Sequence, residues 1–348
     1  MLGRITTRLV LAALVVGGCA GGVPAATQSR SPAASTIAAA SPVPMGSPDP
    51  TASPAPTACA IETGSSVADV ISLDADFYSV TAGPEGVWLL SPTGRVIRID
   101  PATNTVAAEI RVPVSEFGNI ALGGGSVWVT DASHNSLLRL DPKTKKVTAI
   151  KVGDFPEGLL YALDHVWVSN HHGGSVSKID PRTNEAATYE FTNVGESGPK
   201  GLAAVDGDIW TTVPTARSLF RIDGKTGESK GRIELTYELT SPFTDGRYVY
   251  VIYRNHGEQL IARVDPSANE AVPDFEPADL PIAAGLDSLW SVADRTLIRL
   301  DPATLARTGS WCVIPGDPPM GVTTMAFDDE SVWLATDGRT LVRVRPGS

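Results

Sequence analysis

The sequence predicts an all-β fold: a seven-bladed β-propeller of four-stranded blades, its last blade closed by an N-terminal strand. Three observations predict it. A short apolar strand with one aromatic residue recurs seven times, at Trp88, Trp128, Trp167, Trp210, Tyr250, Trp290 and Trp333. The successive spacings are 40, 39, 43, 40, 40 and 43 residues, the period of a four-stranded blade. Each aromatic strand is followed by a polar loop and a second strand ending in Asp-Pro or a variant. The stretches "SVWVTDASHNSLLRLDPKTKKV" and "HVWVSNHHGGSVSKIDPRTNEA" show the pattern.

Each unit parses into four elements. The innermost strand is rich in small residues, as in Asn119–Gly123 and Gly201–Val205, which suits a crowded ring axis. A Gly/Asp/Ser turn leads to the aromatic strand. One aromatic residue at one equivalent position per blade is what packing between neighbouring blades requires. The Asp of Asp-Pro recurs as Asp100, Asp141, Asp180, Asp265 and Asp301, with Asp223-Gly224 and Arg345-Pro346 as departures. Turn chemistry accounts for these acids better than calcium does. The carboxylate can accept a backbone N–H two residues on, proline fixes φ, and a following Thr-Asn or Thr-Gly tolerates the reversal. An outer strand completes the unit, as in Val106–Val112. The seventh unit lacks an outer strand, while Val67–Leu73 stands spare before the first. The expected solution is ring closure, with that N-terminal strand pairing into the last blade.

The segment before the repeats reads as an address. Met1–Arg8 carries Arg4, Arg8 and no acid, and Leu9–Val16 is apolar but too short to span a bilayer. Val16-Gly17-Gly18-Cys19 then resembles a bacterial lipobox, with residues 1–18 as signal peptide and Cys19 as the lipidated residue. An ordinary signal peptide with an incidental cysteine is the plainer alternative. Residues 19–58 are Ala, Pro, Ser, Thr and Gly almost throughout and read as a disordered tether. The propeller is then expected over residues 59–348. This places the protein in the cell envelope, anchored through Cys19 to the outer face of a bacterial membrane by acyl chains.

Loss of Arg4 and Arg8 with the signal takes the net charge from −11 to −13. An acidic chain with no run of Lys or Arg is a poor partner for nucleic acid. Cys59 and Cys312 are the other cysteines. In an exported protein such a pair reads most simply as a disulfide, here locking the ring seam; two buried thiols are the alternative.

Chemistry, if present, is expected on the face shared by the loops between second and third strands and the loops between blades. His134 in "TDASHNS", His171 and His172 in "SNHHGGS", and His256 in "YRNHGEQ" map there, with Arg254 beside them. His165 falls in a tight turn on the opposite face. The between-blade loops add Asp74, Asp76, Glu116, Asp154, Glu157, Glu196 and Asp317. Imidazoles and carboxylates suit metal ligation or base catalysis, and Gly173-Gly174 allows close backbone approach. Solvated loop histidines that never converge are the alternative reading. No haem, zincin, serine-hydrolase or Walker motif is present. The glycine-rich Ala121–Trp128 is a strand-to-strand turn without a following helix, so it is no phosphate cradle. The sequence specifies no cofactor.

The "SVWVT" strand followed by "IDPxTxxV" resembles the bacterial YVTN-type and virginiamycin B lyase-like seven-bladed propellers, over Val67–Pro346. The resemblance implies the fold. It also implies an enzyme class: metal-dependent lyases that open a cyclic peptide lactone with histidine and glutamate on the channel face. Their blades read roughly G-P-D-G-x-x-W-F-T-E. Here Gly83-Pro84-Glu85-Gly86 approximates the start and W-F-T-E is absent, so no catalytic residue is carried over. The expected function is a membrane-anchored monomer that binds an envelope protein or a small molecule without catalysis. The alternatives are a metal-assisted lyase or hydrolase on the histidine face, and a sensor domain feeding a membrane partner.

Overall fold

The computed structural model describes residues 68–114, 118–191, 197–235, 239–255, 258–275, 283–293, 295–313, 321–336 and 339–346. At 68, 254–255, 258–259 and 270–275 only the backbone is described. Short apolar runs bounded by turn residues pair here as seven antiparallel four-stranded meanders. Blade 1 comprises Ser79–Gly83, Gly86–Leu90, Arg95–Asp100 and Thr105–Arg111. Blade 2 follows as Ile120–Gly123, Ser126–Asp131, Ser136–Leu140 and Val147–Lys151. Blade 3 is Pro156–Ala162, His165–Asn170, Ser175–Ile179 and Ala186–Glu190. Blade 4 is Leu202–Val205, Asp208–Val213, Ser218–Asp223 and Ser229–Glu234. Blade 5 is Phe243–Thr244, Val249–Asn255, Glu258–Asp265 and Glu270–Phe275. Blade 6 is Ala283–Gly285, Ser288–Ala293, Thr296–Leu300 and Arg307–Cys312.

Blade 7 closes the ring. Val322–Phe327, Val332–Thr336 and Thr340–Val344 are joined on the outside by Ala68–Ser72. The pairing is antiparallel, from Ala68 opposite Val344 to Ser72 opposite Thr340. The expected seam strand is therefore present over Ala68–Ser72, with Leu73 beyond it and Val67 outside the described residues. The innermost strands of blades 2 and 4 begin one residue later than the small-residue runs suggest. Asn119 and Gly201 turn instead into the loops between blades. Among the described residues the one helical segment is the 3-10 turn Ala132–His134.

The aromatic residues behave as the spacing requires. All seven are fully buried. Trp128 packs among Val166, Val168 and Ile179 of the following blade, and Trp88 against Val127, Val129 and Leu138. Burying six indoles and a phenol at blade junctions helps tie the ring together.

A second set of junction residues sits behind the first. Two positions before each Asp of the Asp-Pro turns lies a base: Arg98, Arg139, Lys178, Arg221, Arg263 and Arg299, with Arg343 in the equivalent place of blade 7. Arg139, Lys178, Arg221 and Arg343 cover the ring of their own blade's tryptophan at 5.3, 5.2, 5.1 and 4.7 Å. Their donors then cross to the next blade. Lys178 Nζ donates to Gly224 O at 2.8 Å, Arg221 Nη1 to Pro266 O at 2.8 Å and Arg263 Nη1 to Ala303 O at 2.7 Å. Arg139 reaches Pro181 O, and Arg343 reaches Pro101 O across the seam.

The receiving turns are built as the sequence implies. Asp100, Asp141, Asp180, Asp223, Asp265 and Asp301 each accept the backbone N–H two residues on, at 2.8 to 3.1 Å. The fourth residue after each Asp is left-handed, with φ between 55 and 80° at Asn104, Lys145, Asn184, Gly227, Asn269 and Leu305. Asn and Gly tolerate that region; Lys145 and Leu305 do so at a local cost.

Candidate functional site

The strand order puts two kinds of connection on one face of the ring. Loops from second to third strands lie there, as do loops from one blade's outer strand to the next blade's inner strand. His134 is in the first kind, at the end of the 3-10 turn of blade 2. His171 and His172 follow Asn170 at the end of blade 3's second strand. His165 begins that strand after a Leu163-Asp164 turn and so lies on the opposite face, its Nδ1 2.8 Å from Leu163 O.

Each described loop-face histidine is held by the scaffold. His134 Nδ1 lies 2.7 Å from Asp131 Oδ2; the Asp131 side chain is buried while His134 is two-thirds exposed. His171 is mostly buried. Its Nδ1 is 3.1 Å from Gly198 O and 3.9 Å from Glu157 Oε2. The His171 backbone N–H donates to Phe155 O, and its carbonyl accepts from Gly198 N at 2.8 Å. His172 stacks on Phe155, with ring centroids 4.1 Å apart, and sits 5.5 Å from His171.

Phe155 explains why these rings meet. It occupies the left-handed region at φ 53°, and its N–H donates to Asn135 Oδ1 at 3.0 Å. Asn135 is itself left-handed at φ 51°, directly after His134. The Asn135 carbonyl also accepts from Val152 N at 3.1 Å. The loops 132–135, 152–155 and 171–174 are thereby stitched into one surface, and Gly198 extends it toward blade 4. Gly198 has no room for a side chain, since a Cβ there would stand 2.2 Å from His171 O.

The candidates therefore gather only in part. His171, His172 and Glu157 come together, while His134 belongs to Asp131. Glu157 lies in the innermost strand of blade 3, not in the preceding loop. Asp74 and Asp76 are taken up by Arg95 at 2.9 Å and Arg339 at 3.2 Å. The Arg95 hydrogen bond holds the Asp74 carboxyl below the usual carboxylate range. The Arg254 backbone lies in blade 5's second strand, opposite Gln259, rather than in a loop. His256, Glu116, Glu196, Asp317, Cys19 and Cys59 lie outside the described residues. A metal ion of the kind the lyase resemblance implies needs about three donors in one place. Among the described residues no three of His, Cys, Asp and Glu group in that way.

Clefts open at blade junctions on the face opposite His134, His171 and His172. One of 550 Å³ lies between blades 2 and 3, lined by Gly124, Arg139, Tyr161, His165 and Arg182 among others. Another of 520 Å³ lies between blades 6 and 7. The base that precedes each Asp-Pro frames these clefts, and its recurrence in "RID", "RLD", "KID" and "RVD" is the signal that finds it.

No family model matches the chain, and no curated protein matches it. Solved structures do. Virginiamycin B lyase from Staphylococcus aureus aligns with a TM-score of 0.65 at 17% identity, over 80% of this chain and 98% of that one. Kuenenia stuttgartiensis hydrazine synthase aligns with a TM-score of 0.62 at 16% identity, over 79% of this chain and 97% of that one. At such identities the likeness is one of fold. The chain has a virginiamycin B lyase-like seven-bladed β-propeller fold.

Proposed function

We propose that the chain is a lipid-anchored, extracytoplasmic propeller that binds an envelope protein or a small molecule without catalysis. The observation that carries this reading is the use of the loop-face histidines as fasteners. His134 is held by a buried carboxylate and His171 by a backbone carbonyl. A surface fixed in this way is preorganised for binding, which lowers the entropy lost on association. The lipobox-like Val16–Cys19 and the tether at 19–58 support anchorage outside the membrane through Cys19. A Cys59–Cys312 disulfide belongs to the same reading, as the pairing expected of two cysteines in an exported chain.

The test is a thermal-shift screen of the mature chain against sugars, peptides, lactones and divalent ions, paired with capture of partners from an envelope extract. A ligand that binds the folded state raises the midpoint in proportion to ln(1 + [L]/Kd). No shift from any class, with no partner above background, would sink the reading.

A second reading, a metal-assisted lyase or hydrolase, is favoured by one contact. His171 Nδ1 and Glu157 Oε2 lie 3.9 Å apart, in a fold shared with virginiamycin B lyase. Its test is chromatography of a cyclic peptide lactone incubated with the chain and a divalent ion. An unchanged lactone after long incubation removes this reading.

A further inference from the structure

Blade 3 carries unusual side chains on the turn face. At the place six residues before the junction aromatic, blades 1, 4 and 6 have Ala82, Ala204 and Ala284. Two residues before it, blades 2, 6 and 7 have Ser126, Ser288 and Ser331. Blade 3 has Tyr161 and His165 at those places, and its Asp-Pro turn adds Arg182. Phe327 of blade 7 is the other ring at the first place, and it packs toward Trp290 at 6.2 Å. Tyr161, His165 and Arg182 line the cleft of 550 Å³ at the junction with blade 2, where Gly124 is the facing wall. That volume is within the range of small-ligand sites. Residues 118–191, which form both blades, are described without a break.

Each lining group keeps some bonding capacity. The Tyr161 ring lies on the backbone of blade 2, so close that a Cβ at Gly123 has no room. Its hydroxyl has no hydrogen-bond partner among the described residues. His165 Nδ1 donates to Leu163 O at 2.8 Å, which leaves Nε2 of the neutral ring as an acceptor. Arg182 spends Nε and Nη2 on Asp180, at 3.1 and 2.9 Å, and keeps Nη1. The Asp164 carboxylate is exposed at the rim. Leu163 beside it is a large apolar side chain left 41% exposed. The charges are already answered. Arg139 is spent on Pro181 O and on Asn184 Oδ1 at 2.9 Å, while Arg182 faces Asp180 and, at longer range, Asp164.

We propose that the cleft between blades 2 and 3 binds a neutral sugar. A pyranose presents a patch of C–H groups and a rim of hydroxyls, each able to donate and to accept. The C–H patch suits the Tyr161 ring and Leu163. The hydroxyls suit two donors, Tyr161 OH and Arg182 Nη1, and two acceptors, the Asp164 carboxylate and His165 Nε2. An anionic occupant finds no unanswered cation here, and a cationic one meets Arg139 and Arg182. A wholly apolar occupant would leave the polar groups covered and unpaired. This inference rests on the binding role proposed above and gives it a ligand class, on the face away from His134, His171 and His172.

The test is saturation-transfer NMR and calorimetry of the mature chain with the methyl glycosides of glucose, galactose and N-acetylglucosamine. Glucuronate, glucosamine and a pool of short peptides form the other arms. At least one neutral glycoside is expected to saturate with a Kd of about 1 mM or below. Asp164 is exposed and left-handed at φ 59°, so Asp164→Gly keeps the turn. It is expected to weaken binding about tenfold, the loss of one charge-assisted hydrogen bond. Tyr161→Leu is expected to weaken it comparably by removing the ring. Should Tyr161→Leu fail to fold, Asp164→Gly decides. Three results each overturn the proposal: no neutral glycoside bound, an affinity unchanged in Asp164→Gly, or tighter binding of glucuronate, glucosamine or peptide. A partner recovered from envelope extract alongside such a failure leaves the general binding role standing.

Discussion

Arg343 of blade 7 donates through Nη1 to Asn104 Oδ1 of blade 1 at 3.2 Å, across the seam where the ring closes. The same guanidinium donates through Nε to Ser331 Oγ at 2.9 Å and covers the Trp333 ring at 4.7 Å. Only 8% of its side chain is exposed. Truncation therefore removes several charge-assisted bonds at once and leaves acceptors unpaired. Arg343→Met is expected to cost about 1.5–3 kcal/mol, visible as a midpoint several degrees lower. Arg182, whose side chain is 84% exposed, serves as control. Arg182→Met is expected to stay within about 0.5 kcal/mol of the parent. Equal midpoints for the two variants would remove the junction role assigned to the base.

Lys145 offers a stabilising change. It stands at φ 60° in the position that Asn104, Asn184, Gly227 and Asn269 fill in other blades. Lys145→Asn relieves a left-handed side chain and is expected to gain about 0.5–1 kcal/mol. Leu305 shares the geometry but is buried against Tyr250 and Leu300, so Leu305→Asn is expected to lose more packing than it gains. Paired melting curves of the two variants check both signs.

The turn aspartates predict the response to acid. The Arg182 side chain and backbone N–H hold Asp180 down to about 2, and the Thr226 and Lys225 N–H groups with Lys230 hold Asp223 down to about 2. In the unfolded chain each carboxyl titrates near 4. A folded value below the unfolded one contributes stability that is complete above about pH 4 and is lost as pH falls toward about 2. Thermal midpoints are expected to decline through that window, and Asp180→Asn with Asp223→Asn to flatten the decline. A decline of unchanged steepness in the double variant assigns acid sensitivity to other groups.

How much of this was legible follows from the reach of each interaction. Trp128 and Asp141 announce themselves because each recurs once per blade and its role is local to a strand or turn. Arg139 recurs just as faithfully, yet its meaning lies in the carbonyl of Pro181, 42 residues on. Turn chemistry stops at the Asp and gives no reason to look two residues back. The histidine face was legible as a place, because strand order alone decides which loops share a face. Its contacts were not. Nothing near His171 in sequence points to Gly198 O, and the stack of His172 on Phe155 depends on the left-handed turn at Phe155. The acid that holds His134 is only three residues away and could have been read from Asp131-Ala132-Ser133-His134.

The proposed Cys59–Cys312 bond predicts a chemical result. Closing a loop of about 250 residues stabilises the folded state by on the order of 5–6 kcal/mol in the chain-entropy account. Alkylation of the unreduced, denatured chain is expected to leave both cysteines unlabelled, and reduction to label both and to lower the midpoint. Labelling at Cys312 before reduction contradicts the bond.

His134 separates a fastener from a ligand-binding group. Its Nδ1 is the partner of Asp131 Oδ2, and the other Asp131 oxygen is buried without a hydrogen bond among the described residues. His134→Ala leaves that carboxylate with no imidazole beside it. The expected loss is about 1–3 kcal/mol of stability, with affinity for any ligand found in the thermal-shift screen unchanged. His172→Ala removes one aromatic stack on Phe155 and is expected to cost about 0.5–1.5 kcal/mol. The double variant Asp131→Asn with His134→Gln keeps a neutral hydrogen-bonding pair and is expected to recover most of the His134→Ala loss. Unchanged melting with abolished ligand binding in His134→Ala reverses the assignment and makes His134 a contact residue on the loop face.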